Sequence, residues 1–227
     1  MERTQNQFPL EDEDRGKNFF FVTILLCGVN VLLYVYSFLN PMDYYLTGGM
    51  NYGLVAEQGE YYRFLTCMFL HGDIAHIGMN MLALVTAGML VESYLGSFRT
   101  AVIYFVSGVG GSVLSLLLHQ GDRQIYSIGA SGAVFGLLVA SAIIQNKKQG
   151  KSMAAAIGFV LVYAVITYSE GIDLTGHLGG AIGGGIATGL LSIGFTEDYR
   201  EGIILRFLGI FITFMVCGAA VYFIIGM

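Results

Sequence analysis

The chain has 227 residues, of which 55% are hydrophobic and 12% are charged, and its mean hydropathy is +0.68. This apolar excess is too great for one soluble core with a solvated surface, and it indicates a membrane protein. The net charge of -5 excludes the basic surface by which many proteins bind nucleic acids.

Seven apolar segments are long enough to cross a bilayer as helices. They cover residues 19–39, 76–95, 100–118, 129–146, 153–169, 174–194 and 203–226. No small-residue cleavage site follows the first segment, so we expect it to be a retained span and not a signal peptide. The sequence therefore predicts an all-α polytopic membrane protein with a charged N-terminal tail at 1–17.

The placement of lysine and arginine predicts the orientation of these spans. With the N-terminus in the cytoplasm, nine of the eleven basic residues fall on the cytoplasmic side, and only Arg63 and Arg123 fall in outer loops. The second, fourth and sixth spans then begin on the outer side. His76, Ser131 and His177 lie near those three starts, so we expect them to share one layer below the outer surface.

Ser131 lies in the run Gly129-Ala130-Ser131-Gly132, and His177 opens a later glycine-rich span. A serine becomes a nucleophile when an adjacent base removes its proton, and neutral histidine is the usual base. The N–H groups at a helix start lack partners in their own helix and suit a developing oxyanion. The commoner alternative is a serine that bonds back to its own helix, so a nucleophile at Ser131 with His177 as its base is a hypothesis.

Small residues recur every four positions in the fourth and sixth spans. They are Gly132, Gly136 and Ala140 in the fourth, and Gly176, Gly180 and Gly184 in the sixth. This spacing lets two membrane helices approach closely, although many transporters use it for packing alone. We predict that the two stripes bring Ser131 to His177.

The second span contributes His76 and Asn80, which are four apart and therefore share one helical face. Either side chain can donate a hydrogen bond to a negative oxygen, or the pair satisfies polar groups of other helices. A metal site built from His71, His76 and His177 is the rival interpretation. No acidic residue accompanies them and no His-Glu-x-x-His run occurs, so we expect no metal.

Two acidic residues of the spans are expected to be structural. Asp173 lies four residues before His177, but aspartate at this position more often caps a helix, so we predict a cap and a Ser-His dyad without a third member. Glu92 lies near the cytoplasmic end of its span and is predicted to bond to a neighbouring helix or loop. The segment 40–75 mixes aromatic, apolar and charged residues, and we expect it to lie at the membrane interface.

Four motifs, taken together with their order along the chain, resemble those of the rhomboid family of intramembrane serine proteases. The resemblance covers about residues 61–190. The four motifs are the serine run Gly129–Gly132, the histidine run Gly176–Gly180, the spaced set His71, His76 and Asn80, and the Gly88, Glu92 and Gly96 set. The resemblance implies a six-helix bundle at 18–195, followed by a linker and a seventh transmembrane helix at 196–227.

The resemblance also implies roles for individual residues. Ser131 is the nucleophile and His177 the base, while the oxyanion is held by His76, Asn80 and the backbone N–H of Ser131, beside Gly129. Supporting positions are His71, Phe135, Gly180, Glu92 and Arg63. Two residues depart from the family pattern: Tyr62-Arg63 replaces the frequent Trp-Arg, and Phe135 replaces a common tyrosine, keeping a ring that can stack on His177.

The function implied is hydrolysis of peptide bonds in or beside transmembrane helices, through an acyl-enzyme and with no cofactor. The partners are transmembrane protein substrates and the lipid bilayer, with substrate entry between the second and fifth spans and a cap at 169–173. The expected location is a bacterial plasma membrane, with the site towards the extracytoplasmic side. The alternatives are a rhomboid-like protein that binds transmembrane clients without cutting them, and a small transporter.

Overall fold

The computed structural model describes residues 20–40, 43–149, 157–158, 173–191 and 203–225. The helices are α1 (Phe21–Leu39), α2 (Tyr44–Gly48), α3 (Arg63–Thr66), α4 (Ile74–Leu95), α5 (Ser97–Leu118), α6 (Ser131–Gln149), α7 (Leu174–Leu191) and α8 (Ile203–Ile225). A π-helical turn at Gly53–Glu57 and a 3-10 turn at Cys67–Phe69 lie between α2 and α4. In these residues an antiparallel bridge between Met50 and Ser127 is the only β pairing.

Four of these helices are long and apolar enough to cross a membrane: α1, α4, α5 and the part of α8 from Ile204 to Ile225. The protein is therefore an integral membrane protein with several spans, as predicted. Helices α6 and α7 occupy the fourth and sixth predicted spans. The fifth, at 153–169, lies outside the described residues apart from 157–158, so the arrangement of six helices plus one stays a prediction.

Four predicted span starts were displaced by two or three residues. Helix α1 begins at Phe21, not at residue 19, and the other three shifts each have a local reason. Helix α4 begins at Ile74, not at residue 76, because the Asp73 carboxylate accepts a hydrogen bond from the His76 amide at 2.8 Å. Helix α5 begins at Ser97, not at residue 100, directly after Gly96, whose φ of 83° ends α4. Helix α6 begins at Ser131, not at residue 129, because Gly129 has a φ of 122° that a helix cannot contain.

Helices α6 and α7 meet along the two predicted small-residue stripes. A Cβ atom placed at Gly180 would overlap the carbonyl oxygen of Gly132, and one at Gly184 would overlap the backbone of Gly136. Helix α5 joins the same seam, since a Cβ at Gly111 would overlap the carbonyl oxygen of Gly176. The three backbones therefore pack with almost no side chain between them, which places the starts of α6 and α7 side by side.

The described residues between α1 and α4 include several that enter the core. Met68, Phe69 and Leu70 are almost fully buried. Arg63 is 3% exposed, donates to the carbonyls of Leu46 and Gly49, and pairs with Glu60 at 2.6 Å. Many of these residues therefore pack against the bundle. For the residues that face outward, a position at the membrane interface stays a prediction.

Helix α8 lies along α5 and connects the two ends of the bundle. Near its start, a Cβ at Gly209 would lie 2.5 Å from the backbone of Phe98 at the beginning of α5. Near its end, the ring of Phe223 stacks on Tyr62 with 4.9 Å between ring centroids and 6° between the planes. The last helix therefore contacts the loop that precedes α4.

Candidate active site

Ser131 and His177 lie within hydrogen-bond distance, with 2.9 Å between the serine Oγ and the histidine Nε2. Ser131 is the first residue of α6, and His177 is the fourth residue of α7. The glycine seam brings these helix starts together. His177 is 8% exposed, so bulk water competes little for the contact.

The ring of Phe135, one turn after Ser131, stacks on the imidazole of His177. The ring centroids are 4.4 Å apart and the planes differ by 21°. The Nδ1 atom of His177 is buried and has no hydrogen-bond partner in the described part of the chain. Packing by Phe135 therefore orients the imidazole, and in the described residues no carboxylate bonds to its second nitrogen.

Gly129 makes the turn that presents Ser131. Its amide donates to the carbonyl of Cys67 at 2.8 Å, which fixes the turn to the segment before α4. A Cβ at this glycine would lie 2.6 Å from the Nε2 atom of His76, so a side chain here would displace that imidazole. His76 thus lies beside the turn that carries the nucleophile candidate, as the predicted common layer requires.

His71 contacts this turn directly, whereas the described contact of Asn80 is with His76. The side-chain amide of Asn80 donates to the carbonyl of His76 at 2.9 Å, and its oxygen is buried without a partner among the described residues. The Nε2 atom of His71 accepts from the Ala130 amide at 3.4 Å. Burial, together with the neighbouring His76, lowers the pKa of His71 to about 3, so this ring is neutral and able to accept at pH 7.

Asp173 caps α7, accepting from the Gly176 amide at 2.9 Å and from the hydroxyl of Thr175. Its other oxygen accepts from the Ser127 hydroxyl at 2.7 Å. Burial alone would raise the pKa of Asp173, but hydrogen bonds from Ser115, Thr175, Ser127 and Gly176 outweigh it and hold the pKa below its ordinary value. The carboxylate is therefore ionised at neutral pH and bonds to the loop before α6 as well as to its own helix.

The remaining predicted positions support the bundle away from the dyad. Gly180 forms the seam between α6 and α7, and Arg63 holds the loop before α4 together. Glu92 accepts from the amides of Val22 and Thr23, from the Thr23 hydroxyl and from Ser97. Glu92 follows His76 by sixteen residues of helix, which is about 24 Å along α4.

Ser131 and His177 are placed for proton transfer from the serine hydroxyl to the imidazole. A neutral imidazole at 2.9 Å can take the proton of the Ser131 hydroxyl. The first N–H groups of a helix lack partners within that helix, so those at the start of α6 suit a negative oxygen on the attacked carbonyl. Among the described residues no cluster of three His, Cys, Asp or Glu side chains could hold a metal ion.

Residues 58–194 match the Rhomboid domain family, which is more than half of the chain. The chain belongs to the rhomboid family. This rhomboid chain is similar to the rhomboid protease GluP of Bacillus subtilis (strain 168), with 38% identity over 152 residues that cover 64% of this chain and 29% of GluP. It is also similar to the rhomboid protease AarA of Providencia stuartii, with 26% identity over 219 residues that cover 82% of this chain and 78% of AarA.

Plant relatives match a comparable part of the rhomboid chain. RHOMBOID-like protein 5 of Arabidopsis thaliana is 37% identical over 137 residues, which cover 57% of this chain and 44% of that protein. The chain spans at most half of the length of this and five further Arabidopsis RHOMBOID-like proteins. The family predicted from the motifs is thereby confirmed.

Three contacts around the site were not predicted from the sequence. They are the bond from Ser127 to Asp173, the bond from the Gly129 amide to Cys67, and the part that α5 takes in the glycine seam. The glycines of α5 at 108, 110 and 111 are the signal that was available, since they repeat the small-residue pattern of α6 and α7. The other two contacts join distant loops and leave no pattern in the sequence.

Proposed function

We propose that this rhomboid chain is an intramembrane serine endopeptidase that works with a Ser131–His177 dyad. The observation that carries the proposal is the 2.9 Å contact between the two side chains at the start of α6, where backbone N–H donors are available. The similarity to two proteins named as rhomboid proteases supports the same class of reaction.

In the proposed reaction, Nε2 of His177 takes the hydroxyl proton of Ser131 as the Oγ atom attacks the scissile carbonyl carbon. The tetrahedral oxyanion is held by the Ser131 amide, with His76 and Asn80 beside it. When the C–N bond breaks, the leaving amine takes the proton from His177. A water molecule, deprotonated by the same imidazole, then attacks the serine ester. As the bond between the carbonyl carbon and Oγ breaks, His177 returns the proton to Ser131 and the acid product leaves.

The proposed substrates are transmembrane proteins, because the dyad lies among helices that are apolar enough to cross a bilayer. A helix hides its carbonyls in hydrogen bonds, so a substrate must unwind locally, and helix-weakening residues near the outer boundary favour this. In the proposed orientation the site lies towards the extracytoplasmic side. The proposed entry beside the fifth span and the cap at 169–173 lie outside the described residues, apart from Asp173.

The first test is cleavage of a tagged single-span protein in liposomes, together with labelling by a serine-reactive fluorophosphonate. Ser131→Ala and His177→Ala should each abolish cleavage and labelling. Ser141→Ala and His119→Ala are matched controls, since Ser141 bonds to a carbonyl of its own helix and the ring of His119 contacts Ser115 and not the dyad. Both controls should retain activity.

The competing function is the binding of transmembrane clients without cleavage. It predicts that the wild-type protein holds a client helix while Ser131 stays unlabelled in folded protein. Labelling of wild type that disappears in Ser131→Ala excludes this alternative. Cleavage that persists in Ser131→Ala would show that Ser131 is not the nucleophile and would overturn the proposed dyad.

A further inference from the structure

A second side-chain contact joins the same two parts of the chain that carry the dyad. Ser127 lies four residues before Ser131, and Asp173 lies four residues before His177. The Ser127 hydroxyl donates to Oδ2 of Asp173 at 2.7 Å, and Ser131 meets His177 at 2.9 Å. Both pairs are therefore separated by 46 residues, and the two contacts lie one after the other at the start of the α6–α7 interface.

The two oxygens of Asp173 have different partners. Oδ1 accepts from the Gly176 amide and the Thr175 hydroxyl, and so caps α7. Oδ2 accepts from Ser127, which is outside α7. The cap and the link to Ser127 can consequently be removed separately by substitution.

Ser127 is a firm point of attachment because its backbone is held on both sides. Its amide donates to the carbonyl of Met50 at 2.9 Å, and its carbonyl accepts from the Met50 amide at 2.9 Å. Two residues later, the Gly129 amide is bound to Cys67. The bond to Asp173 therefore ties α7 to the same frame that holds the turn of Ser131.

We propose that Asp173 is a positioning residue that sets α7, and with it His177, at the height where the imidazole meets Ser131. The proposal rests on the proposed proteolytic function. Asp173 acts through the helix and not as a third member of the dyad, because it accepts its hydrogen bonds from Ser115, Ser127, Thr175 and Gly176. Nδ1 of His177 has no partner in the described residues.

The pH dependence of this link follows from the direction of the Asp173 shift. Its pKa in the folded protein lies below the ordinary 3.8, so the link is present above that value and is lost as pH falls through the lower folded pKa. The titratable groups that its charge reaches are His177 on its own helix and Cys67 in the turn before α4. Removing the Ser127 hydroxyl takes away one bond that lowers the pKa of Asp173, so Asp173 should take up its proton at a higher pH in Ser127→Ala than in wild type.

The test compares fluorophosphonate labelling rates of wild type, Asp173→Asn, Ser127→Ala, the double variant and Ser127→Thr in liposomes. Asparagine caps a helix as well as aspartate, so Asp173→Asn keeps the cap and loses the charged acceptor for Ser127. Each single variant should label about tenfold more slowly, as expected when reacting groups are misplaced by a fraction of an ångström. The double variant should be no slower than either single one, because both remove the same bond.

Ser127→Thr should restore the rate, since it restores the hydroxyl. Asp122→Asn is the matched control, because Asp122 is an exposed loop carboxylate that accepts only a local amide among its described bonds. In cleavage assays the loss should fall on kcat and leave KM near the wild-type value.

Each outcome decides between the two proposals. Slower labelling of both single variants, with no further loss in the double variant, supports the positioning role. Wild-type labelling with unchanged rates in Asp173→Asn and Ser127→Ala overturns the positioning role and leaves proteolysis standing. An unlabelled wild-type protein overturns the proposed function, and the positioning role falls with it.

Discussion

At the residue scale, the imidazole of His177 lies between the Ser131 hydroxyl and the ring of Phe135. In many serine hydrolases a carboxylate holds the second nitrogen of the histidine. Here Asp173, although only four residues away in sequence, bonds to Ser127, Thr175 and Gly176. Orientation of the proposed base therefore depends on the packing of one aromatic ring.

We expect Phe135→Ala to slow labelling of Ser131 about tenfold, because the imidazole loses the surface that holds its plane. Phe135→Tyr keeps the ring and should label at nearly the wild-type rate. Leu137→Ala is the matched control for lost volume, since Leu137 is also fully buried in α6. The measurement is fluorophosphonate labelling well below the unfolding temperature, and equal rates in Phe135→Ala and Leu137→Ala would contradict the role of the stack.

The sequence predicted which residues lie close together at the site, but it did not predict the hydrogen bonds that hold the loops and helices carrying them. Span lengths and the basic-residue bias predicted one layer for His76, Ser131 and His177, since a helix start has a definite depth. The bond from Ser127 to Asp173 could not be predicted, because Ser127 is held by pairing with Met50, 77 positions earlier. Contacts between distant loops depend on the folded bundle and not on local pattern.

At the element scale, α5, α6 and α7 form a seam in which backbone faces backbone. The glycine at 180 lies against the Gly132 carbonyl, and the glycine at 111 lies against the Gly176 carbonyl. Because this seam sets the separation of the two helix starts, the dyad distance depends on residues that take no part in the chemistry.

We expect Gly180→Ala to lower the free energy of unfolding by about 1–3 kcal/mol, because the new methyl group overlaps the backbone of α6. Labelling of Ser131 should fall with it, as α7 is pushed from its partner. Gly189→Ala is the control on the same helix, where a Cβ would meet no atom within 4 Å. Thermal unfolding in detergent checks both, and a Gly180→Ala protein as stable as Gly189→Ala would show that the seam tolerates a side chain.

At the scale of the whole molecule, the bundle has two polar junctions at opposite ends. The dyad and Asp173 lie at one end, and Glu92 lies at the other, where it accepts four hydrogen bonds from α1 and α5. Glu92 is 6% exposed and receives the amides that open α1, so one side chain caps a neighbouring helix.

We expect Glu92→Gln to lower the free energy of unfolding by about 1–3 kcal/mol, because its NH2 group replaces one of the two accepting oxygens and faces the amide of either Val22 or Thr23. The rate of labelling at low temperature should stay near wild type, since the junction lies about 24 Å along α4 from His76. Thermal unfolding and labelling on the same samples separate the two effects. A large loss of labelling in stably folded Glu92→Gln would contradict this expectation and would show that Glu92 affects the reactivity of Ser131.

Helix α8 contacts the loop before α4 through the stack of Phe223 on Tyr62. We expect Phe223→Ala to lower the free energy of unfolding by about 0.5–1.5 kcal/mol. We also expect faster cleavage by added proteases in the segment around Tyr61. Phe214→Ala, which removes a ring that is 63% exposed, should do neither. Limited proteolysis in detergent is the measurement, and identical cleavage of the two variants would mean that α8 does not restrain this loop.

The stack of Phe223 on Tyr62 also offers a site for a fluorescent probe, because the chain has no tryptophan of its own. The chain contains no tryptophan, and residue 62 is the position where the resemblance to the family leads one to look for one. Tyr62→Trp would therefore give the protein a single indole, face to face with Phe223 and beneath the guanidinium of Arg63. Its emission wavelength and lifetime would report, in unlabelled protein and in real time, whether the loop before α4 keeps its contact with α8 when a candidate transmembrane protein is added.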